Sequence, residues 1–209
     1  WTPKGSEIVP ADIDTAVTVE KAASRWEGAV RSGHFRGVAT IVTKLFCVVQ
    51  PDIAYFGQKD YQQTRVIKQL VRDLHFDLKI KVLPTVREKD RLAMSSRNRF
   101  LSSEDRAAAT VLYRALCDVK QLVKNGERRC SLLKKKVESL IKKEPLARID
   151  YIAFCHPQTL EPVDQVMGKT GEGENDILTL IQKNEINLII NTPSGKRSQS
   201  DMRKIRAAA

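Results

Sequence analysis

Phe56-Gly57-Gln58-Lys59-Asp60-Tyr61-Gln62-Gln63 sets a glycine, a lysine and an aspartate between a short apolar run, Ile53-Ala54-Tyr55, and an amphipathic run that reaches Leu74. A strand, a glycine turn and a helix start together can hold a nucleotide. Glycine permits a sharp backbone turn, and the first N–H groups of a helix attract anions. Lys59 adds a mobile positive charge, and Asp60 can accept hydrogen bonds from hydroxyls. On its own the stretch favours a plainer reading, a helix capped by Asp60. A second candidate lies in the polar connection from Pro84 to Leu101. Its length, without structure of its own, points to a functional or mobile loop. Met94-Ser95-Ser96-Arg97 within it suits phosphate oxygens; a serine-rich turn with a charged rim is the alternative.

The elements that must position these residues follow from periodicity. Residues 1–25 read as extended and polar. Residues 26–37 hold three glycines and two arginines, which predicts a loop. From Val38, an apolar face of Ile41, Val42, Leu45, Phe46 and Val49 predicts a helix stopped by Pro51. A strand at Ile53–Phe56 precedes the focal turn. The helix after it is expected to bury Val66, Ile67, Leu70, Val71 and Leu74, and Leu78–Leu83 alternates as a strand. Helix–strand–helix–strand is half of a parallel α/β sheet, with its loops at the strand C-terminal ends. Ser102-Ser103-Glu104-Asp105 starts a helix that buries Leu112, Leu116, Val119 and Val123 and ends at Gly126. A helix from Cys130 to Lys143, a strand at Ile149–Phe154 and a turn at His156-Pro157-Gln158 complete a small α+β domain. Residues 176–181 read as helical and Ile186–Ile190 as a buried strand. A polar loop from Asn191 to Arg197 and a helical run at 203–206 follow.

The 209 residues carry a net charge of +11 with 42% hydrophobic and 29% charged residues, ordinary for a soluble globular protein. No apolar run approaches the roughly 18 residues of a membrane span, and the N-terminus lacks the pattern of a signal peptide. The four cysteines, Cys47, Cys117, Cys130 and Cys155, are widely spaced, and the three histidines are not at metal spacing. Reduced, mostly buried thiols in the cytoplasm and no protein metal cluster are therefore expected. Residues 124–148 hold nine Lys or Arg against three Glu. Lys134-Lys135-Lys136 lies opposite Leu133, Val137, Leu140 and Ile141, so a solvated helix face accounts for it. No aromatics interleave with these charges, which disfavours single-stranded nucleic acid.

Four blocks, in order and in register, resemble the pantothenate synthetase (pantoate–β-alanine ligase) family: Gly33-His34-Phe35-Arg36-Gly37-Val38, Gln50-Pro51-Asp52-Ile53, Phe56 to Gln63, and Leu92-Ala93-Met94-Ser95-Ser96-Arg97-Asn98. The resemblance covers about residues 1–165. It implies a Rossmann-like nucleotidylyltransferase fold and an ATP-dependent ligase in which Mg²⁺ assists. Pantoate attacks the α-phosphate to give pantoyl adenylate, and β-alanine displaces AMP. On that resemblance ATP falls to Gly57, Lys59, Asp60, Val86, Met94, Ser95, Ser96 and Arg97. Lys59 would sit near the phosphates, Asp60 at the ribose and the Val86 backbone at the adenine. Lys59, Ser95, Ser96 and Arg97 would carry the catalysis. Gln63 would hold pantoate, with Glu27 and Arg31 near the active-site entrance. A cytoplasmic homodimer is implied too.

Three departures stand out. The family's N-terminal half carries an HxGH motif that is absent here, so the chain is expected to be a C-terminal part and inactive alone. Arg91 occupies a glycine position; if that position needs positive φ, arginine strains it by about 1 kcal/mol or more. Ser32 replaces a proline. Residues 169–209 resemble instead the methylglyoxal-synthase-like allosteric domain of the carbamoyl phosphate synthetase large subunit, with Lys169, Asn191 and Thr192 at its effector positions. The expected organisation is a partial Rossmann-like domain at 1–100, a small α+β domain at 101–166 and a truncated α/β tail at 167–209, an incomplete or chimeric form. Two other functions remain open: a non-catalytic nucleotide-binding module, and a basic nucleic-acid or scaffold protein resting on residues 124–148.

Overall fold

The apolar run at Ile53–Phe56 and the alternation at Leu78–Leu83 become two parallel strands in the computed structural model, which describes residues 2–166 and the backbone of 187–193 and 204–208. The chain divides into two compact units. The first holds residues 2–57 and 61–83; the second holds 58–60 and the residues from 84 onward.

In the first unit, short helices α1 (Gly5–Ile8), α2 (Glu20–Ala23) and α3 (Glu27–Val30) lead into α4 (His34–Val49). Strand β1 (Ile53–Gly57), helix α5 (Tyr61–Asp73) and strand β2 (Lys79–Leu83) form a βαβ unit. The strands are parallel from Ile53↔Lys79 to Gly57↔Leu83, as the pattern requires. Phe35, Ala39 and Phe46 of α4 bury against Val66, Ile67 and Leu70 of α5, with Ala54, Phe56 and Ile80 of the sheet beneath. Leu74, expected in this core, is exposed because α5 ends one residue earlier.

The expected loop at 26–37 is a helical turn and the first residues of α4. Gly28 explains how. A Cβ there would lie 1.6 Å from the Ala23 carbonyl oxygen, so the glycine permits α3 to pack onto the end of α2 rather than breaking the chain. The extended reading of 1–25 misses α1 and α2, each a single turn too short to show a period.

In the second unit, a 3-10 turn at Ser96–Phe100 precedes α6 (Ser103–Ala109), α7 (Val111–Lys124), α8 (Cys130–Lys142) and β3 (Tyr151–Cys155). Ser102 caps α6, its hydroxyl accepting from Asp105 N–H at 3.0 Å. The one long helix expected from 103 is two, separated at Thr110. Gly126, at φ 98°, ends α7 with its N–H on the Val123 carbonyl. The core packs Leu112, Leu116 and Val119 of α7 on Leu133, Val137 and Ile141 of α8 and on Ile152 and Phe154 of β3. Lys134, Lys135 and Lys136 face solvent.

β3 pairs antiparallel with β4 (Asn187–Pro193), and β4 with β5 (Lys204–Ala208). The helical reading of 203–206 is thus corrected: Lys204–Ala208 is a strand. Helix propensity is a weak prior, and strand pairing overrides it. β4 also absorbs Asn191, Thr192 and Pro193, expected in a loop. The sheet crosses position 166/167, and position 100/101 falls inside the second unit. The helical pattern at 176–181 and Lys169 lie outside the described residues.

All four cysteines are free. Cys130 and Cys155 are buried, while Cys47 and Cys117 are exposed, so the expectation of mostly buried thiols holds for one pair. Burial pushes the Cys130 and Cys155 thiols up to about 11. Among the described residues no helix is long and apolar enough to cross a membrane.

Candidate functional site

The two focal stretches both follow C-terminal ends of parallel strands. Gly57 pairs with Leu83, so the chain leaves the same end of the sheet toward Gln58–Asp60 and toward Val86. In α/β sheets that end is where ligands bind.

Gly57 does not make the sharp turn expected of it. Its φ is −82°, open to any residue, and nothing lies within 4 Å of its Cβ position. The change of direction comes from a 3-10 turn, Gln58–Asp60, ahead of α5. Lys59 is half-buried and, among the described residues, its ammonium makes no ion pair. Gln63 is half-buried and makes no side-chain hydrogen bond there.

Its neighbour Gln62, which periodicity did not single out, is 2% exposed. Its amide oxygen accepts from Glu27 N–H at 3.1 Å, and its amide nitrogen donates to the Ala22 and Arg25 carbonyls at 2.9 and 2.8 Å. Two of these bonds flank Trp26, held at φ 50°, ψ −115°. That backbone costs about 1–3 kcal/mol and persists only where surroundings over-determine it. Glu27 follows at once and is buried at 5% exposure. Its Oε1 accepts from Arg31 Nη1 at 2.8 Å and lies 3.6 Å from His34 Nε2. Glu27 thus points inward and holds Arg31; it does not face solvent. Gln62, Glu27 and Arg31 all belong to the first unit.

The 84–101 connection is more ordered than its composition implies. Arg87 bridges Ala93, Glu88 N–H donates to the Leu92 carbonyl, and Met94 N–H donates to the Val86 carbonyl at 2.9 Å. Leu92 and Ala93 are buried. Arg91 sits at the tip with φ 71°, the left-handed geometry that a glycine would relieve. The Arg87 guanidinium lies over the Tyr113 ring, 4.8 Å from its centroid.

Ser95 opens the 3-10 turn, and its hydroxyl oxygen accepts from Arg97 N–H at 3.2 Å. The Ser95 O–H stays available as a donor. Met94, Ser96 and Arg97 are exposed, and among the described residues neither Ser96 nor Arg97 uses its side-chain polar atoms. Behind the turn, Asn98 Nδ2 donates to Glu88 Oε1 at 2.6 Å and to the Ala93 carbonyl at 3.1 Å. Arg106 Nη2 reaches Glu88 Oε2 at 2.7 Å and Asp90 Oδ2 at 2.8 Å. The Asn98 hydrogen bond and then Arg106 hold the Glu88 carboxyl below its usual range. Glu88, Asn98 and Arg106 were not singled out from sequence; only Asn98 stood inside a recognised block. Lys59, Asp60, Val86 and residues 94–97 belong to the second unit. Among the described residues no group of three His, Cys, Asp or Glu could hold a metal.

Residues 1–192 match the family model for pantoate–β-alanine ligase. A pantothenate synthetase from Caldicellulosiruptor saccharolyticus is 54% identical over 167 residues, 80% of this chain and 59% of that protein. A crystal structure of the pantothenate synthetase from Thermus thermophilus superposes with a TM-score of 0.82 at 37% identity, covering 99% of this chain and 67% of that one. The Francisella tularensis pantoate–β-alanine ligase, solved in complex with β,γ-ATP and β-alanine, superposes with a TM-score of 0.63 at 26% identity, covering 98% and 61%. The chain spans about three fifths of the length of the curated relatives it matches. On the breadth of the family match, the chain belongs to the pantoate–β-alanine ligase family.

Proposed function

We propose that this chain supplies one part of an ATP-dependent ligase that joins pantoate to β-alanine through pantoyl adenylate. The observation that carries the reading is the Ser95-capped turn, which leaves Ser96 and Arg97 unengaged in the same compact unit as Lys59. A pantoate carboxylate oxygen attacks the α-phosphorus. The bond to the bridging oxygen breaks, and pyrophosphate leaves with the electron pair. The β-alanine amine then attacks the acyl carbon, the acyl C–O bond breaks, AMP departs with the pair, and the amine proton passes to solvent. Lys59 and Arg97 offset charge on the phosphates, and Ser95 and Ser96 donate hydrogen bonds rather than act as nucleophiles. Asp60 takes the ribose, the Val86 backbone faces the adenine, Gln63 takes pantoate, and Arg31, held by Glu27, lines the entrance. Placing the reactants supplies most of the second step.

The described residues offer no cluster of His, Cys, Asp or Glu for a metal, so Mg²⁺ would be brought by the polyphosphate. When bound, the ion neutralises phosphate charge; the protein steps above are those of Lys59, Arg97 and the serines. A homodimer in the cytoplasm completes the reading. For residues 169–209 the likeness to the carbamoyl phosphate synthetase allosteric domain rests on their sequence alone. The family match to residue 192 and the pairing of β4 with β3 weigh against a boundary at 167. A transcript read across residues 160–172 decides it.

The test is ATP–pyrophosphate exchange with pantoate, measured on the chain alone and with an HxGH-bearing segment of a pantothenate synthetase added in trans. Exchange is expected only in the mixture and is abolished by Lys59→Ala. Calorimetry with ATP on the chain alone should show weak binding that Lys59→Ala removes. Absence of both exchange and binding would overturn the proposal.

A further inference from the structure

We infer that Glu88, Asn98 and Arg106 form a clamp that sets the phosphate-binding conformation of residues 94–97; the inference rests on the ATP site proposed above. Asn98 follows the loop directly and is 9% exposed. Its side chain donates to the carbonyl of Ala93, the residue before the loop, at 3.1 Å. Its backbone N–H donates to the carbonyl of Ser95, inside the loop, at 3.0 Å. One residue therefore ties both ends of Met94–Arg97.

Asn98 is itself fixed by charge. Its Nδ2 reaches Glu88 Oε1 at 2.6 Å, and the other Glu88 oxygen takes Arg106 Nη2 at 2.7 Å. Arg106 projects from α6 and shares that nitrogen with Asp90 at 2.8 Å. The Glu88 backbone is held in turn by the Leu92 carbonyl at 2.8 Å. Charge-assisted bonds of this kind are about twice as strong as neutral ones.

The arrangement matters because the loop's own side chains do little to hold it. Met94, Ser96 and Arg97 are exposed. Donors aimed at a polyphosphate are effective only when their backbone is fixed beforehand. Glu88, Asn98 and Arg106 do this from behind. They are positioning residues, and the groups offered to ATP remain Ser95, Ser96 and Arg97.

The test uses two readouts on the whole chain. Amide hydrogen exchange reports the clamp without any ligand. In Asn98→Ala, exchange at Arg97, whose N–H donates to Ser95 Oγ, should accelerate by about tenfold or more, while amides of α7 and α8 keep their wild-type protection. Glu88→Gln should act in the same direction, and Arg106→Lys should restore part of the protection lost in Arg106→Ala. Calorimetry then compares ATP with adenosine. Asn98→Ala should weaken ATP by about tenfold and leave adenosine unchanged. Unaltered loop exchange in both Asn98→Ala and Glu88→Gln overturns the clamp whatever ATP does. Equal losses for ATP and adenosine also overturn it, since they mark a general structural effect. ATP binding indifferent to Lys59→Ala overturns the ATP site, and with it the phosphate role of the clamp, even where exchange responds.

Discussion

Each unit holds a non-glycine residue at positive φ beside a candidate binding stretch, and the two are restrained by different physics. In the first unit Trp26, at φ 50°, lies between the two backbone groups that Gln62 ties. The restraint is a neutral amide, buried at 2% exposure. In the second, Arg91, at φ 71°, tips a turn whose Glu88 and Asp90 share Arg106. That restraint is charged and partly exposed. A neutral buried anchor is insensitive to pH and salt, and its loss leaves backbone groups unsatisfied. A charged, accessible one depends on pH and salt. The Gln62 tie therefore does not titrate, whereas the hold of Glu88 on the loop at 94–97 does.

The contrast can be broken in three ways. The largest effect should come from Gln62→Ala, which strands Glu27 N–H and removes the bond to the Ala22 carbonyl, while the Arg25 carbonyl keeps Gly28 N–H. A loss of about 3 kcal/mol is expected in urea unfolding, and a loss near zero would remove Gln62 as the anchor. Next is pH. Asn98 and Arg106 lower the folded pKa of Glu88, opposed by desolvation and by Asp90. Its contribution is complete above the unfolded carboxyl value and is lost as pH falls through the lowered folded value. Protection of the Arg97 amide, corrected for intrinsic exchange, should therefore drop in acid, while the Gln62 hydrogen bond to the Glu27 amide does not titrate. Parallel acid profiles would erase the distinction. The smallest effect is a gain: Arg91→Gly should stabilise the second unit by about 1 kcal/mol, read as a raised unfolding midpoint. An unchanged or lower midpoint would mean that Arg91 makes compensating contacts.

The parallel pair, the helices at 61–73 and 130–142 and the cap at Ser102 were legible in the sequence because each rests on a local rule: alternation, a 3.6-residue face, a hydroxyl ahead of acids. Arg91 was legible as a residue strained if its turn needed positive φ. Gln62 was not, since a buried glutamine looks like any polar helix residue until the carbonyls it serves are in place. Glu88 and Arg106 meet across 18 positions, and no periodicity marks such a pair. Residues 203–206 have a helical pattern in sequence, yet Lys204–Ala208 is a strand because its partner, not its composition, decides it.

The antiparallel order β3–β4–β5 bears on synthesis. Strands β1 and β2 are joined through one helix, so the first unit's sheet can close once residue 83 has left the ribosome. Tyr151 must wait for Asn191, and Ile189 for Ala208. Until then β3 offers an open edge, the kind of surface that nascent chains must shield from wrong pairing. Vectorial folding would thus complete the βαβ unit first, and the second sheet would be the step that a chaperone or slowed translation of residues 156–208 most affects.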